Sequence, residues 1–235
     1  MKRTLILQVG ILAVCAVAVA QMAANFPYPS PLIKPFLPPT LRWPTAQVKA
    51  WVESSNVDSG FITYFARDPE RLVPPGRNFV SPADGLIQSI VARDGINYFV
   101  VSLSFWDVHV VRTPVAGIVT DIREEGVSMF NDTATARELE DMIYLHGKAA
   151  PVQAIVTIKT QTGNVVVHLI TSYWASRLKL RVRIGEKLEK GQRIGRILLG
   201  STVVAELPGD LKFSVRAKQR VIAGESIIAK EATLP

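Results

Sequence analysis

The sequence predicts a mostly β domain with few helices, α+β overall, forming a β-sandwich or partly closed barrel behind an N-terminal apolar helix. Three observations predict it. From Arg67 onward, short apolar segments are punctuated by Gly, Pro and Asp at turn spacing. Asp94-Gly95 and Thr162-Gly163 fall between such segments, as hairpin turns do. Within that region only 133–146 carries a helical period. The 235 residues, 48% of them hydrophobic, suffice for one substantial core.

Taken in order, residues 4–20 are almost wholly apolar and follow Lys2 and Arg3. They read either as a retained membrane anchor, extended by Met22 to Ala24, or as a cleavable secretory signal ending at Ala18-Val19-Ala20. We assign 1–26 to this anchor or signal segment. Residues 27–44 hold seven of the fifteen prolines, a spacing that blocks regular structure and predicts an extended linker. The main domain then runs over 45–235. Its first part, 45–66, reads as a helix capped by Thr45, a break at Asn56 to Gly60 and an approach strand. Candidate strands follow at 86–93, 96–104, 107–112, 117–122, 152–160, 164–171, 177–183, 193–199, 202–207, 211–216 and 226–230.

An internal echo supports this picture. Val182-Arg183-Ile184-Gly185-Glu186 and Val221-Ile222-Ala223-Gly224-Glu225 each read as a strand end followed by a Gly-Glu turn. Such turns also mark lipoyl- and biotinyl-type sandwiches, so the expected fold resembles a barrel-sandwich hybrid. With no lysine at a hairpin tip flanked by Met or Asp, a carrier role is not expected.

The formal net charge of +7 favours anionic partners. The densest basic run, Arg177, Lys179, Arg181 and Arg183, alternates with apolar residues and reads as a solvated strand face or a lipid-headgroup surface. No stacking aromatics are interleaved, so nucleic acid is not an expected partner. The single cysteine, Cys15, leaves no disulfide framework, zinc cluster or paired cysteine nucleophile.

Three segments carry candidate chemistry. Gly200-Ser201 reads as a turn, or as a bond that breaks when the serine hydroxyl attacks the preceding carbonyl in an N-to-O acyl shift. Asp84, in Ser81-Pro82-Ala83-Asp84-Gly85, reads as a turn residue or as a carboxylate that orients a base. His109 lies in an apolar strand and reads as a hydrogen-bonded core residue or, with Asp107 on the same face and Arg112 at the strand's end, as part of a set able to hold a carboxylate or phosphate and move a proton. His146 and His168 lack such polar company in the sequence and read as structural.

Together these segments resemble the phosphatidylserine decarboxylase family. The resemblance rests on Tyr64 to Arg71, the Ser81 to Gly85 segment, Leu103 to Gly117, Ala175-Ser176-Arg177, Gly191 to Gly195, Leu199-Gly200-Ser201-Thr202 and Val221 to Ile227, seven motifs in order over about 64–230. It departs from the larger, bacterial-type branch at Arg112, where that branch has a second histidine, and follows that branch at Thr202. The Asn and Glu-Arg elements usual between the histidine and the cleavage segment are matched loosely around Asn131 and Arg137-Glu138.

The resemblance implies a self-cleaving proenzyme that yields a β chain, 1–200, and an α chain, 201–235, associated as a heterodimer, with higher oligomers open. Its cofactor would be a covalent pyruvoyl group made from Ser201, which acts through Schiff-base chemistry on the substrate amine. It implies His109 as proton donor, Asp84 in self-cleavage, and decarboxylation of phosphatidylserine to phosphatidylethanolamine at a membrane. Asp107 and Arg112 are the candidate substrate-binding pair, and no metal is implied. The expected location is membrane-associated, at the cell inner membrane, with either side open. Two alternatives stand beside it: a pyruvoyl-dependent decarboxylase of another serine lipid or a free amino acid, and a noncatalytic membrane-tethered β-sandwich adaptor.

Overall fold

The computed structural model describes residues 2–25, 34–54, 56–125, 153–171, 178–197 and 201–231. The expected helix at 133–146, Asn131, Arg137, Glu138, His146, the Ala175 to Arg177 motif, Gly200, residue 26 of the anchor segment and linker residues 27–33 lie outside the described residues. The chain divides into two compact units, Met1–Val48 and Lys49–Pro235.

The first unit opens with helix α1 (Lys2–Asn25), on which Val9, Leu12, Val14 and Val19 are exposed. Among the residues whose side chains are described, which in α1 run from 8 to 19, no helix is long and apolar enough to cross a membrane. The prolines after it do not keep the linker fully extended. A 3-10 turn forms at Lys34–Phe36 and a short helix, α2, at Pro39–Arg42. Pro39 occupies the start of that helix, where a missing N–H costs nothing. Helix α3 (Thr45–Ser54) contains the division between the units, and Thr45 is its first helical residue instead of its cap.

The second unit corrects the expected approach strand. Ser59–Phe65 is a helix, α4, although Phe, Ile, Thr and Tyr favour strands. Asp58 accepts a hydrogen bond from the Phe61 N–H at 2.9 Å, so the predicted break is itself the helix start. Phe61, Ile62 and Phe65 are buried on one stripe, each worth roughly 2 kcal/mol or more, which outweighs local preference.

The remainder is β structure: β1 (Asn78–Val80), β2 (Gly85–Arg93), β3 (Ile96–Leu103), β4 (Val110–Arg112), β5 (Gly117–Glu125), β6 (Gln153–Lys159) and β7 (Asn164–Thr171). There follow β8 (Leu178–Leu180), β9 (Lys187–Leu188), β10 (Arg193–Ile197), β11 (Ser201–Pro208), β12 (Leu211–Phe213), β13 (Arg220–Val221) and β14 (Ile227–Glu231). Eight strands form a curled sheet in the order β13-β2-β3-β11-β7-β6-β5-β9, a partly closed barrel. Two three-stranded sheets, β1-β14-β12 and β4-β10-β8, complete the unit. Ladders are antiparallel, and the alternation of β11 turns Ser201, Val203, Ala205 and Leu207 inward.

The expected hairpins are present. Asp94 (φ 52°) and Gly95 (φ 76°) turn between β2 and β3, and Thr160 to Gly163 joins β6 to β7. Both echo turns close, with the Glu186 N–H on the Arg183 carbonyl and the Glu225 N–H on that of Ile222. Several expected strands are shorter. The 107–112 segment narrows to β4 because the Asp107 carboxylate ties 104–107 into a turn. The basic run departs from a solvated face, since Lys179 is buried and Arg181 is drawn to Asp68.

Candidate active site

Ser201 begins β11 in the centre of the large sheet, paired with Leu103 on β3 and Thr171 on β7. It is buried, and its Oγ has no hydrogen-bond partner in the described structure. Such an orphaned hydroxyl is a cost that a purely structural serine would not carry.

His109 is 1% exposed. Its Nδ1 lies 3.0 Å from the Asp107 carbonyl oxygen, which can only accept, so Nδ1 carries the proton. The Nε2 atom is then a free lone pair, and it too is buried without a partner. The Phe65 ring, on the buried stripe of α4, packs 4.3 Å from the imidazole centroid. Burial pushes the His109 pKa down to about 4, with Asp107 opposing the shift and Arg67 and Arg196 adding to it. At neutral pH this histidine is uncharged, with the Nε2 lone pair unengaged.

That depressed pKa has a consequence for stability. The unfolded imidazole takes up a proton below pH 6.5, whereas the folded one does so only near pH 4. Between those values the unfolded state binds more protons. The contribution is therefore intact above pH 6.5 and is lost as pH falls toward 4, by about 3 kcal/mol. Urea unfolding at pH 7, 5.5 and 4 is expected to show this slope and to show it flattened in His109→Asn.

Asp84 occupies the turn between β1 and β2, as its sequence suggested. The Ser81 hydroxyl donates to the Ala83 carbonyl at 2.7 Å, and Gly85 takes φ +150°. A Cβ on Gly85 would meet the Ser102 carbonyl oxygen at 2.2 Å, so only glycine lets β2 approach β3 here. The Asp84 carboxylate accepts two hydrogen bonds from Arg71 at 3.0 and 3.1 Å and one from the Ala223 N–H at 2.8 Å. Burial pushes its pKa up, with the Ala223 N–H and Arg71 opposing.

Pairing across the sheet brings the Asp84 turn toward the start of β11. Leu86 pairs with Ser102 and Ser102 with Thr202, which sets the β2 entrance roughly 10 Å from the start of β11. The Ile197 N–H donates to the His109 carbonyl at 3.0 Å, and four residues on from Ile197 is Ser201, at most about 14 Å of chain. Asp84, Asp107 and Arg67 sense one another electrostatically, and Arg67 stacks 3.8 Å over the Tyr64 ring.

The two expected substrate-binding residues differ in setting. Asp107 accepts from the Ser104 N–H and hydroxyl at 2.7 and 2.6 Å and pairs with Arg220, whose side chain is 62% exposed. Arg112 is buried and committed elsewhere, to Asp68, the Pro69 carbonyl and the Gly191 carbonyl. Asp68 also receives Arg181 and Arg193. Burial raises its pKa, but the hydrogen bonds from those arginines prevail and hold it below the usual carboxylate range. Arg112 thus belongs to an ion-pair network centred on Asp68.

Sequence reasoning missed Phe65, Arg71, Asp68 and Arg220. Three of these stand in the Tyr64 to Arg71 motif, which was legible as a block but not by residue. His168 is also corrected: its Nε2 lies 2.8 Å from Glu206 and its Nδ1 3.4 Å from Gln153. Glu206 is on the sheet face opposite Ser201.

Comparison with known proteins agrees with the motif resemblance. The family model for phosphatidylserine decarboxylase matches residues 59–229. A phosphatidylserine decarboxylase proenzyme of Solibacter usitatus is 34% identical over 174 residues, covering 72% of this chain and 78% of the relative. That of Streptomyces coelicolor is 32% identical over 184 residues, covering 77% of each. That of Chlorobaculum tepidum is 31% identical over 179 residues, covering 72% of this chain and 77% of the relative.

Proposed function

The chain belongs to the phosphatidylserine decarboxylase family, and from that premise we propose that it is a self-cleaving proenzyme that converts phosphatidylserine to phosphatidylethanolamine. The observation that carries the proposal is the buried, unpartnered Ser201 hydroxyl, in a unit that also holds an unpartnered imidazole nitrogen on His109. The relatives' names, which read proenzyme, support processing.

In self-cleavage, Ser201 Oγ attacks the Gly200 carbonyl carbon while His109 Nε2 takes the hydroxyl proton. The new C–O bond replaces the C–N bond, and the proton passes to the departing Ser201 nitrogen, leaving an ester. Loss of the Ser201 α-proton then expels residues 1–200 as a carboxylate. Water replaces the nitrogen and ammonia leaves, so 201–235 begins with a pyruvoyl group. The site suits this outcome, because an unpartnered buried oxygen needs no hydrogen bond broken before attack. Once formed, the group supplies an electron sink for the bond to the departing carboxylate.

The protein's own residues do the rest. His109 moves the proton: neutral at rest, it returns only a proton it has first taken. Phe65 covers the imidazole and keeps water from it. Asp84, fixed by Arg71 and the Ala223 N–H, assists cleavage through its charge. For the substrate headgroup, Asp107 with exposed Arg220 is better placed than Arg112. Residues 1–26 hold the enzyme at the inner membrane and 27–44 link them to the 45–235 domain, with α1's exposed apolar side chains in support. The α and β chains remain together as a heterodimer, because β11 of one lies between β3 and β7 of the other.

The processed protein is expected to release CO₂ from phosphatidylserine in mixed vesicles and not from free serine or aromatic amino acids. Turnover of a free amino acid without turnover of the lipid would overturn the substrate assignment.

A further inference from the structure

A concavity lies at the far end of β11. The Thr160 to Gly163 turn packs against Pro208, the last residue of that strand, with a Gly163 Cβ position 3.1 Å from the proline ring. Ser201 is the first residue of the same strand, so roughly 23 Å separates the two ends. The cavity beside this turn holds about 560 Å³ and opens between β1, β5 and β9.

Its lining brings four cations together: Arg77, Lys159, Lys187 and Lys190. Other cations of the unit are held by acids, as Arg71 is by Asp84, Arg193 by Asp68 and Arg220 by Asp107; those around this cavity are not. Among the described residues, Arg77, Lys159 and Lys187 are exposed and form no ion pair, and the single acid in the lining, Glu231, forms none either. Lys190 bonds only neutral acceptors, the Gly76 carbonyl at 2.7 Å and Asn78 Oδ1 at 2.9 Å, which leaves one of its three ammonium hydrogens free. Burial lowers the Lys190 pKa, a mark of a cation held without a counter-charge.

We propose that this cavity binds the phosphate group of an anionic ligand, at a site separate from Ser201. Like charges on three neighbouring segments repel one another, and an anion set among them relieves that repulsion. A phosphate offers several acceptor oxygens and up to two negative charges, which suits point-charge donors arriving from different directions. The floor is apolar, formed by buried Phe79 and Leu188, and Ile118 stands half exposed at the rim. That floor suits the carbon side of a phosphoester. The phosphate could come from a lipid headgroup or from a soluble phosphoester, and the two share this chemistry.

The test uses the purified full-length protein as it is expressed, the pocket variant Lys159→Gln/Lys187→Gln, and the control Arg93→Gln/Arg123→Gln. The control removes the same charge from exposed side chains outside the cavity. Two probes are applied: glycerol 3-phosphate by calorimetry, and flotation with vesicles of phosphatidylcholine alone or mixed with phosphatidylglycerol. The pocket variant is expected to lose about 30-fold in affinity for at least one probe, while the control changes less than about threefold. Loss confined to the vesicles assigns the phosphate to a lipid headgroup, and loss confined to glycerol 3-phosphate assigns it to a soluble ligand. Equal losses in both variants, or a wild-type protein that binds neither probe, would overturn the proposal. Both variants alter exposed side chains, so unchanged thermal unfolding serves as the folding control. None of these outcomes depends on whether the chain decarboxylates a lipid.

Discussion

Ser201→Ala is expected to leave one uncut chain of 235 residues with no decarboxylase activity above background. The substitution removes one oxygen from a site that makes no hydrogen bond with it, so packing gives no reason for the fold to fail. Alanine fits the inward face of β11 beside Val203 and Ala205, and a methyl group there is less costly than an unpaired hydroxyl. Stability should be equal or slightly higher, while both cleavage and turnover vanish. That separation of fold from function is the signature of a residue kept for its chemistry. A variant that still decarboxylates phosphatidylserine would remove Ser201 from the account.

His109→Asn is expected to slow self-cleavage by about 10²- to 10⁴-fold, the range a positioned base supplies. Asparagine was chosen because its amide N–H can keep the hydrogen bond to the Asp107 carbonyl while offering no basic nitrogen where Nε2 stands. His109→Ala would test the same base but would also open a void beside Phe65, so its effect would mix packing with chemistry. The measurement is the half-time for the uncut chain to disappear after synthesis, by gel. The depressed pKa adds a second readout. Because the folded histidine stays neutral down to about pH 4, wild-type cleavage should hold its rate from neutral pH to near 5 and fall as pH approaches 4. Cleavage at the wild-type rate in His109→Asn would mean that another group takes the Ser201 proton.

Much of the fold was legible because strands that line a core must alternate. Val165, Val167 and Leu169 are fully buried on β7 and mark one face by sequence alone. Beta-forming residues misled where a cap and a buried stripe prevailed, as in α4, whose start is set by Asp58. Strands of two or three residues, such as β9 and β13, carry too little pattern to read.

The residues of the candidate site each have a local signature in the sequence, at Gly200-Ser201, His109 and the Asp84 turn. The electrostatics of the site have none. Arg112 bonds Asp68, 44 residues away. Arg220 stands 113 residues from Asp107, and His168 stands 38 from Glu206, so neither pair leaves a mark in local spacing. Which cation is free to meet a substrate is a property of the folded charge network and not of any motif.

The measurement that bears most directly on the central claim is the intact mass of the purified wild-type protein under denaturing conditions. The account expects two chains, residues 1–200 and 201–235, with the smaller one lighter than a free-serine peptide by one ammonia and blocked to N-terminal sequencing. A single uncut polypeptide, or a small chain that begins with free serine, would contradict it.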